Sequence, residues 1–248
     1  RIDGQALGPE YFGETDSDTN QWKPKAAADI KAAVTFGTNG FYLPFSNDAL
    51  ATSFTDSADK NATAGGDTHT DTAVKKFGTA SAQFDGTGDY LTVLDSSSFS
   101  LFANTTDSKT LDFWVNHTAV SSGQVYFMPR EDGSNYWFIR HDTPNILLYG
   151  KIGNSVFINQ SASAFSNTGA WHHIALVKIR NKLGVYVDGT QIIYTTFSST
   201  KDFAAPLTIG SQDGSSDFFN GYMDEVRWSD SNVFNANPNS TPNDTITV

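Results

Sequence analysis

The chain has 248 residues, 13% of them aromatic and only 17% charged, with a formal net charge of -11 and no cysteine. Because phosphate contacts need clustered Lys and Arg, the acidic balance argues against nucleic acid as a partner. The missing thiols rule out disulfides, thiolate nucleophiles and Cys-ligated zinc, and no apolar run reaches the roughly 20 residues that span a bilayer, so we expect no membrane insertion.

The first 45 residues are predicted to form an extended N-terminal arm. Three glycines precede position 14, the acidic polar run Glu14–Asn20 follows, and apolar residues are sparse throughout. Such a segment buries too little apolar surface to become ordered without a partner. Positions 46–76 are polar and rich in Asp and Thr, which predicts long loops around one weak strand.

From Phe77 onward, short apolar and aromatic segments recur at close intervals. They are separated by Gly, Asn, Asp and Pro, with no helical periodicity between them. Strands at this spacing indicate an all-β fold, an antiparallel sandwich or jelly roll, rather than βαβ units. Predicted strands lie at 81–84, 90–94, 111–115, 125–127, 136–139, 146–149, 156–158, 171–177, 184–187, 191–194, 207–210 and 221–228.

Turn chemistry and alternation refine this prediction. Asp188-Gly189 lies between two apolar runs and is the strongest hairpin signal, because Asp-Gly readily adopts the positive φ values of a tight primed turn. After residue 235 the sequence is mostly Asn, Pro, Ser and Thr, which predicts a flexible C-terminal tail over 236–248. Alternation along the strands places six side chains in the core: Phe84, Phe113, Trp171, Leu176, Val187 and Ile209.

Four parts of the chain form an ordered set: Phe84-Asp-Gly-Thr-Gly-Asp-Tyr-Leu-Thr-Val93; Thr110-Leu-Asp-Phe-Trp-Val115; Trp171-His-His-Ile-Ala-Leu-Val-Lys178 with Val185-Tyr-Val-Asp-Gly189; and Pro206-Leu-Thr-Ile-Gly210 with Phe219-Asn-Gly-Tyr-Met-Asp-Glu-Val-Arg227. Together they resemble the laminin-G-like modules of the concanavalin A-like lectin and glucanase superfamily. The resemblance covers about residues 46–235 and implies a concanavalin A-like jelly-roll sandwich over that range. Such modules commonly bind glycans or proteins.

The arm carries a second, looser resemblance. Ile2-Asp-Gly-Gln-Ala-Leu7, Trp22-Lys-Pro-Lys25 and Gly37-Thr-Asn-Gly-Phe-Tyr-Leu43 are similar to segments that precede such modules in structural proteins of tailed bacteriophages. This similarity implies a place on the virion surface, with the arm as an anchor. A secreted, extracellular protein is the alternative.

Catalysis is not expected. Glucanases of this superfamily use a Glu-x-Asp-x-Glu strand, which places carboxylates on one face to flank the scissile bond. The chain has only four Glu, and no two of them are spaced as such a pair. Paired Asp residues still leave hydrolysis open. His172 and His173, as strand neighbours, point to opposite faces and do not predict a zinc site.

A carbohydrate site needs an aromatic platform for sugar C–H faces, with polar groups for the hydroxyls. Alternation allows only one of Tyr136 and Trp137 to face outward, and core packing explains either residue taken singly. The candidate ligand-binding residues, close together in adjoining predicted strands and loops, are Tyr136, Trp137, Arg140, His141, Tyr149 and Asn154.

Calcium is the one cofactor that stays open, and it is suggested by the resemblance. The family often carries a structural Ca²⁺ near the end of the sandwich, and Asp224 matches the Asp of its last-strand motif. Asp85 and Asp89 are its neighbours if the first and last strands pair. Carboxylates and carbonyls are natural Ca²⁺ ligands, but solvated turn carboxylates explain the same residues without a metal.

These observations leave three functions open. The leading hypothesis is a non-enzymatic, lectin-like module of a virion surface or tail protein that binds host-cell glycans. Its alternatives are a purely structural decoration module that contacts another virion protein, and a secreted glycan-active hydrolase. The oligomeric state stays open, with a homo-oligomer among the possibilities.

Overall fold

A computed structural model describes residues 8–15, 17, 21–34, 41–43, 53–54, 61–241 and 243–248. Two antiparallel sheets of eight strands each pack as a sandwich, which confirms the all-β prediction. Within the described residues, no helix is long and apolar enough to span a membrane.

The described helices and strands follow the chain in simple order. One α-helix, α1, spans Ala27–Ala33, and short 3-10 helices span Pro9–Tyr11 and Ser97–Phe99. The strands are β1 Gly13–Thr15, β2 Trp22–Pro24, β3 Phe41–Leu43, β4 Ser53–Phe54, β5 Ala62–Gly65, β6 His69–Asp71, β7 Ser81–Asp85, β8 Tyr90–Val93, β9 Ser108–His117, β10 Ser122–Pro129, β11 Tyr136–Asp142, β12 Asn145–Ile152, β13 Ser155–Ser163, β14 Trp171–Ile179, β15 Lys182–Val187, β16 Thr190–Thr196, β17 Leu207–Ile209 and β18 Asn220–Ser229.

The two sheets bring together strands that are distant in sequence. Sheet I has the order β13-β12-β11-β10-β17-β8-β5-β4, and sheet II has the order β16-β15-β14-β9-β18-β7-β6. The long last strand β18 pairs with β9 along one side. On its other side it pairs first with β7 and then with β3, so residues 41–43, which we assigned to the arm, belong to sheet II.

The core lies between the sheets and is rich in aromatic rings, as the composition predicts. Five of the six predicted core residues are buried, namely Phe84, Phe113, Leu176, Val187 and Ile209. The prediction for Trp171 is wrong. Trp171 begins β14 at the parity of Ala175 and Val177, which face away from the core that Leu176 faces, and its side chain is only half-buried.

The predicted Asp-Gly hairpin is confirmed. Asp188 and Gly189 have φ values of +49° and +81° and join β15 to β16 as a two-residue turn. Positive φ at both positions is the requirement of a primed turn, whose twist matches that of the flanking strands.

The arm is described only in part. Residues 1–7, 18–20 and 35–40, which include parts of the segments similar to phage proteins, lie outside the described residues. Of the rest, β1 and β2 pair only with each other, as a small two-stranded sheet.

The C-terminal segment 236–248, predicted as a flexible tail, is packed against sheet II in the structure. Ala236 and Ile246 are buried in a small apolar cluster with Tyr186. Ile246 donates its N–H to the Gly189 carbonyl at 2.8 Å, and Gln191 donates its N–H to the Asp244 carbonyl at 3.0 Å. The prediction took the segment alone, whereas its partners are strands of the sandwich.

Candidate ligand-binding face and carboxylate cluster

Strands β11, β12 and β13 present rows of side chains on the side of sheet I that faces away from the core, here called the outer face. Residues opposite each other on adjacent strands share a row, and the β12–β13 pairing has one irregularity, between Gly150 and Lys151. The rows, each written from β11 to β13, are Tyr136–Lys151–Val156, Phe138–Tyr149–Asn159, Arg140–Leu147–Ser161 and Asp142–Asn145–Ser163.

Three aromatic rings form the centre of the outer face. Phe138 and Tyr149 are direct cross-strand partners with ring centroids 5.4 Å apart and an interplanar angle of 22°. Tyr136 is 6.2 Å from Phe138 and 6.1 Å from Tyr149. Phe138 is only 6% exposed, so it forms the base of the group, while both tyrosines remain partly exposed.

Two cations on the outer face are already neutralised. The Arg140 guanidinium lies 5.0 Å from the Phe138 ring centroid and donates to Asp142 at 2.9 Å and to Asp217 at 3.3 Å. Arg130, near Tyr136, is paired with Asp213. These contacts hold the rings in place and leave the guanidinium groups partly occupied.

Other polar groups of the outer face remain available. Lys151 lies 5.9 Å from the Tyr136 ring centroid and has no carboxylate partner among the described residues. Within the same part of the chain, no hydrogen bond engages the hydroxyls of Tyr136 and Tyr149, the Asn159 amide or the Ser161 hydroxyl. The outer face therefore combines apolar ring surface with unpartnered donors and acceptors, the combination that a polyhydroxylated ligand needs.

The structure places the six candidate residues in three different environments. Tyr136, Arg140 and Tyr149 lie on the outer face. Asn154 is exposed in the β12–β13 turn, where its Oδ1 accepts a hydrogen bond from the Ser134 hydroxyl at 2.7 Å.

Trp137 and His141 need correction, because both point into the sandwich. Trp137 is 1% exposed and its ring packs 5.7 Å from Phe102. His141 is fully buried and its Nε2 is 2.9 Å from the Phe165 carbonyl oxygen. Since side chains alternate along β11, odd-numbered positions are core positions and cannot contact a ligand on the outer face.

Phe138 was missed by the sequence analysis. Three consecutive aromatic residues begin β11. An aromatic ring therefore faces outward whether the even-numbered or the odd-numbered side chains face the solvent. The signal that could have decided the alternation is polar: Arg140 and Asp142 follow Tyr136 and Phe138 at the same parity, as expected for the solvent side of a strand.

A second site is a cluster of three carboxylates, Asp67, Asp85 and Asp89, whose oxygens lie within 4.8 Å of one another. Asp89 is 1% exposed, and its two oxygens accept backbone N–H groups of Asp67 and Asp85, each at 2.8 Å. Burial raises the pKa of Asp89. No Lys, Arg or His forms an ion pair with these carboxylates within the described chain.

The donor set of this carboxylate cluster fits a hard cation such as Ca²⁺, which prefers carboxylate and carbonyl oxygens. Gly66, at φ +66°, approaches this cluster so closely that a Cβ there would clash, 2.4 Å from the Gly88 carbonyl oxygen and 2.5 Å from Asp89 Oδ1. Asp67 was missed because it lies outside the motif that carries the family resemblance.

Asp224, the residue first expected to bind the metal, is not part of the carboxylate cluster. Asn220 is the strand partner of Asp85, and Asp224 lies four positions further along β18. At the spacing of residues in a strand, four positions correspond to roughly 13 Å. Backbone N–H groups of Lys76, Phe77 and Glu225 donate to the Asp224 carboxylate at 2.8 to 3.0 Å.

The surroundings of Asp224 explain both its burial and its role. Burial raises its pKa to about 6, although the three N–H groups oppose that rise. Glu225, at φ +49°, lies in the irregularity of β18 that directly follows Asp224. A buried carboxylate needs such donors, so Asp224 is a structural residue of the sheet.

The two neighbouring histidines also have separate partners. His172 lies 2.7 Å from Asp188, whereas the buried His173 lies 3.1 Å from Asp112. They therefore do not share a metal ion.

The family model described as the concanavalin A-like lectin/glucanases superfamily, of the laminin G type, matches residues 85–236. The chain belongs to this superfamily. The match covers the sandwich from the end of β7 past the end of β18. No curated protein matches this concanavalin A-like chain in sequence.

Solved structures share the concanavalin A-like fold at low sequence identity. Domain 4 of the extracellular arabinanase AbnA from Geobacillus stearothermophilus, in complex with arabinotriose, has a TM-score of 0.60 and 16% identity, covering 78% of this chain and 92% of that one. The binding domain of Paraclostridial Mosquitocidal Protein 1 has a TM-score of 0.59 and 12% identity, and the alignment covers 77% of this chain and 48% of that one.

A further similar structure is that of botulinum neurotoxin type C, whose cell entry depends on interaction with two ganglioside molecules. It has a TM-score of 0.57 and 13% identity, and the alignment covers 78% of this chain and 49% of that one. The chain thus spans about half the length of the two toxin chains. At these identities the likeness shows the fold alone.

Proposed function

We propose that this concanavalin A-like domain is a non-enzymatic module that binds glycans on its outer face. The observation that carries the proposal is the grid on β11–β13, where Tyr136, Phe138 and Tyr149 provide apolar ring surface beside unpartnered polar groups. Sugars need both, because their C–H faces pack on rings while their hydroxyls exchange hydrogen bonds. Two structural relatives support the proposal, since one is in complex with arabinotriose and the other interacts with gangliosides.

A virion role is the finer part of the proposal. Its support is the similarity of the arm segments to those of tailed-phage structural proteins, together with an outer face suited to host-cell glycans. In this role the arm anchors the module and the sandwich contacts the cell. Host-cell adsorption of particles that carry or lack the domain tests this part, because a purely structural decoration module would leave adsorption unchanged.

We also propose a structural Ca²⁺ at the carboxylate cluster. Asp67, Asp85 and Asp89 would hold it, and the ion would offset the repulsion of three carboxylates that lack a cationic partner in the described chain. A metal there would tie the β5–β6 turn to the β7–β8 turn. Its role would be stability, because the cluster is not part of the outer face.

Binding to an array of neutral and acidic glycans tests the main proposal. Wild-type protein should bind at least one glycan class, and Tyr149→Ala should weaken that binding about tenfold or more. Tyr194→Ala, which removes a half-buried tyrosine from β16 of sheet II, is the matched control and should bind like wild type. Absence of binding by folded wild-type protein favours the structural alternative, and release of reducing ends from β-glucans favours the hydrolase.

A further inference from the structure

A cleft lies at the free edge of sheet I, between the β12–β13 turn and the segment that follows β16. Its volume is about 510 Å³, within the range of small-molecule sites. Residues from both sheets line it, including Ser155, Val156, Phe157, Thr196, Ser198 and Ser199. We call it the edge cleft.

The lining of the edge cleft is hydroxylated and uncharged. Four of its side chains are Ser or Thr, and none of their hydroxyls has a hydrogen-bond partner within the described chain. Phe157 provides an apolar wall that packs on Phe203 with centroids 6.3 Å apart, and Val156 is 51% exposed. No charged side chain lines the edge cleft itself, and a neutral polyol would find both hydroxyl partners and apolar surface there.

The edge cleft and the outer face share a border. Val156 lines the cleft and is the strand partner of Lys151, which is in turn the partner of Tyr136. Two strand spacings, roughly 10 Å, therefore separate the aromatic centre from the mouth of the cleft. A single sugar cannot contact both, but a linear chain of several sugars can.

We infer that the edge cleft is a second subsite that takes the continuation of the glycan bound on the outer face. This inference rests on the proposed function and specifies its ligand, a neutral linear oligosaccharide. Apolar rings hold one part of the chain, and the hydroxyls of the cleft hold the next. Affinity should therefore increase with chain length until both subsites are filled.

Calorimetric titration with one neutral oligosaccharide series, the best-binding series of the array in lengths of one to six units, tests this inference. Ser198 lines the edge cleft and is exposed, so Ser198→Trp should fill part of the cleft with an indole ring. Ser166→Trp, in the loop between β13 and β14, is the matched control. In wild type and the control, affinity should rise about tenfold or more from the shortest binding unit to the longest. Ser198→Trp should remove this gain and leave the shortest unit unaffected.

Two outcomes overturn the inference in distinguishable ways. If Ser198→Trp binds every length as wild type does while Tyr149→Ala loses binding, the cleft is not a subsite and the proposed function stands. If no length binds to wild type, both fall. Val156→Asp, which brings a charge to the mouth, should also remove the length-dependent gain, so the inference can be tested even if the indole disturbs folding.

Discussion

At the scale of single residues, two buried histidines link stability to pH. The His117 and His141 rings lie 4.7 Å apart at one end of the core. His117 Nδ1 is 3.3 Å from the Ala119 carbonyl and its Nε2 is 2.8 Å from the Tyr126 hydroxyl, an arrangement that fits a neutral ring. Burial lowers the pKa of His117 to about 3, with a contribution from His141, whose own pKa is also lowered by burial.

Stability should fall as the solution is acidified below neutrality. The pKa of His117 is near 6.5 in the unfolded chain and near 3 in the folded protein. As the pH falls, the unfolded state therefore binds a proton first. The contribution of the neutral ring to stability is complete above pH 6.5 and is lost toward pH 3. Asp224 acts in the opposite direction, because its raised pKa favours folding below about pH 6. The His117 shift is larger, and His141 adds to it.

Urea unfolding at pH 4.5 and pH 7 measures this balance. The protein should be more stable at pH 7, by at most about 5 kcal/mol. Asp224→Asn removes one of the opposing carboxyls, Asp89 being another, and should enlarge the difference in stability between the two pH values. Equal stability at both pH values in the wild type would contradict the histidine account.

Burial also predicts unequal costs for two aromatic substitutions. Phe113 is fully buried, with Phe127 at 4.7 Å and Tyr126 at 5.4 Å between ring centroids. Phe113→Ala should cost about 3 to 5 kcal/mol of unfolding free energy. Trp171→Ala removes a half-buried ring at the strand end and should cost roughly 1 kcal/mol. Denaturant unfolding of both variants checks the order, and a larger cost at Trp171 would show that the assigned core is wrong.

At the scale of elements, the C-terminal segment covers the edge of sheet II. Its residues 244–246 bond to the backbone of 189–191 at the start of the edge strand β16. The Asp244 carboxylate also accepts the Tyr186 hydroxyl at 2.6 Å, and Gln191 exchanges hydrogen bonds with the backbone of Asn239. The start of this edge strand is therefore closed to pairing with other chains.

Removal of residues 237–248 should therefore have two effects. The melting temperature should fall, because Tyr186, Gln191 and the backbone of β16 lose their partners. Self-association should rise, because an edge strand becomes open. Differential scanning calorimetry and light scattering measure these effects, with deletion of the exposed Val248 alone as the control. A truncated protein that melts like the full chain and stays monodisperse would refute this role.

Local rules predicted the strands and the Asp188-Gly189 turn because alternation and turn chemistry act over a few residues. They could not predict the packing of residues 236–248, whose partners are about 50 residues earlier in the chain. Phe138 was missed because aromatic residues fill both alternations at the start of β11. Asp67 joins Asp85 and Asp89 only through the pairing of β5 with β8 and of β6 with β7.

At the scale of the whole molecule, the proposed Ca²⁺ would connect two turns, β5–β6 and β7–β8, each of which joins the two sheets. If it binds, chelator should lower the melting temperature through mass action on the folded state. Asp85→Asn should reduce that response, whereas Asp224→Asn should keep it, because Asp224 lies outside the carboxylate cluster. A melting temperature indifferent to both chelator and added Ca²⁺ would count against a metal.

The aromatic and polar groups that carry the proposed function belong to three neighbouring strands of a rigid sheet. Their positions are therefore set by strand register and not by a mobile loop. Such a face should bind without large rearrangement. A ligand on it would shift the amide signals of β11, β12 and β13 and leave in place those of sheet II that lie away from the edge cleft.

Titration of ¹⁵N-labelled protein with the best-binding array glycan tests the central claim most directly. Chemical-shift changes should concentrate between residues 136 and 161, with the largest effects around Phe138 and Tyr149, and in Tyr149→Ala they should need about tenfold more glycan or more. Changes confined to sheet II or to the carboxylate cluster, or no changes at saturating glycan, would contradict a binding site on the outer face.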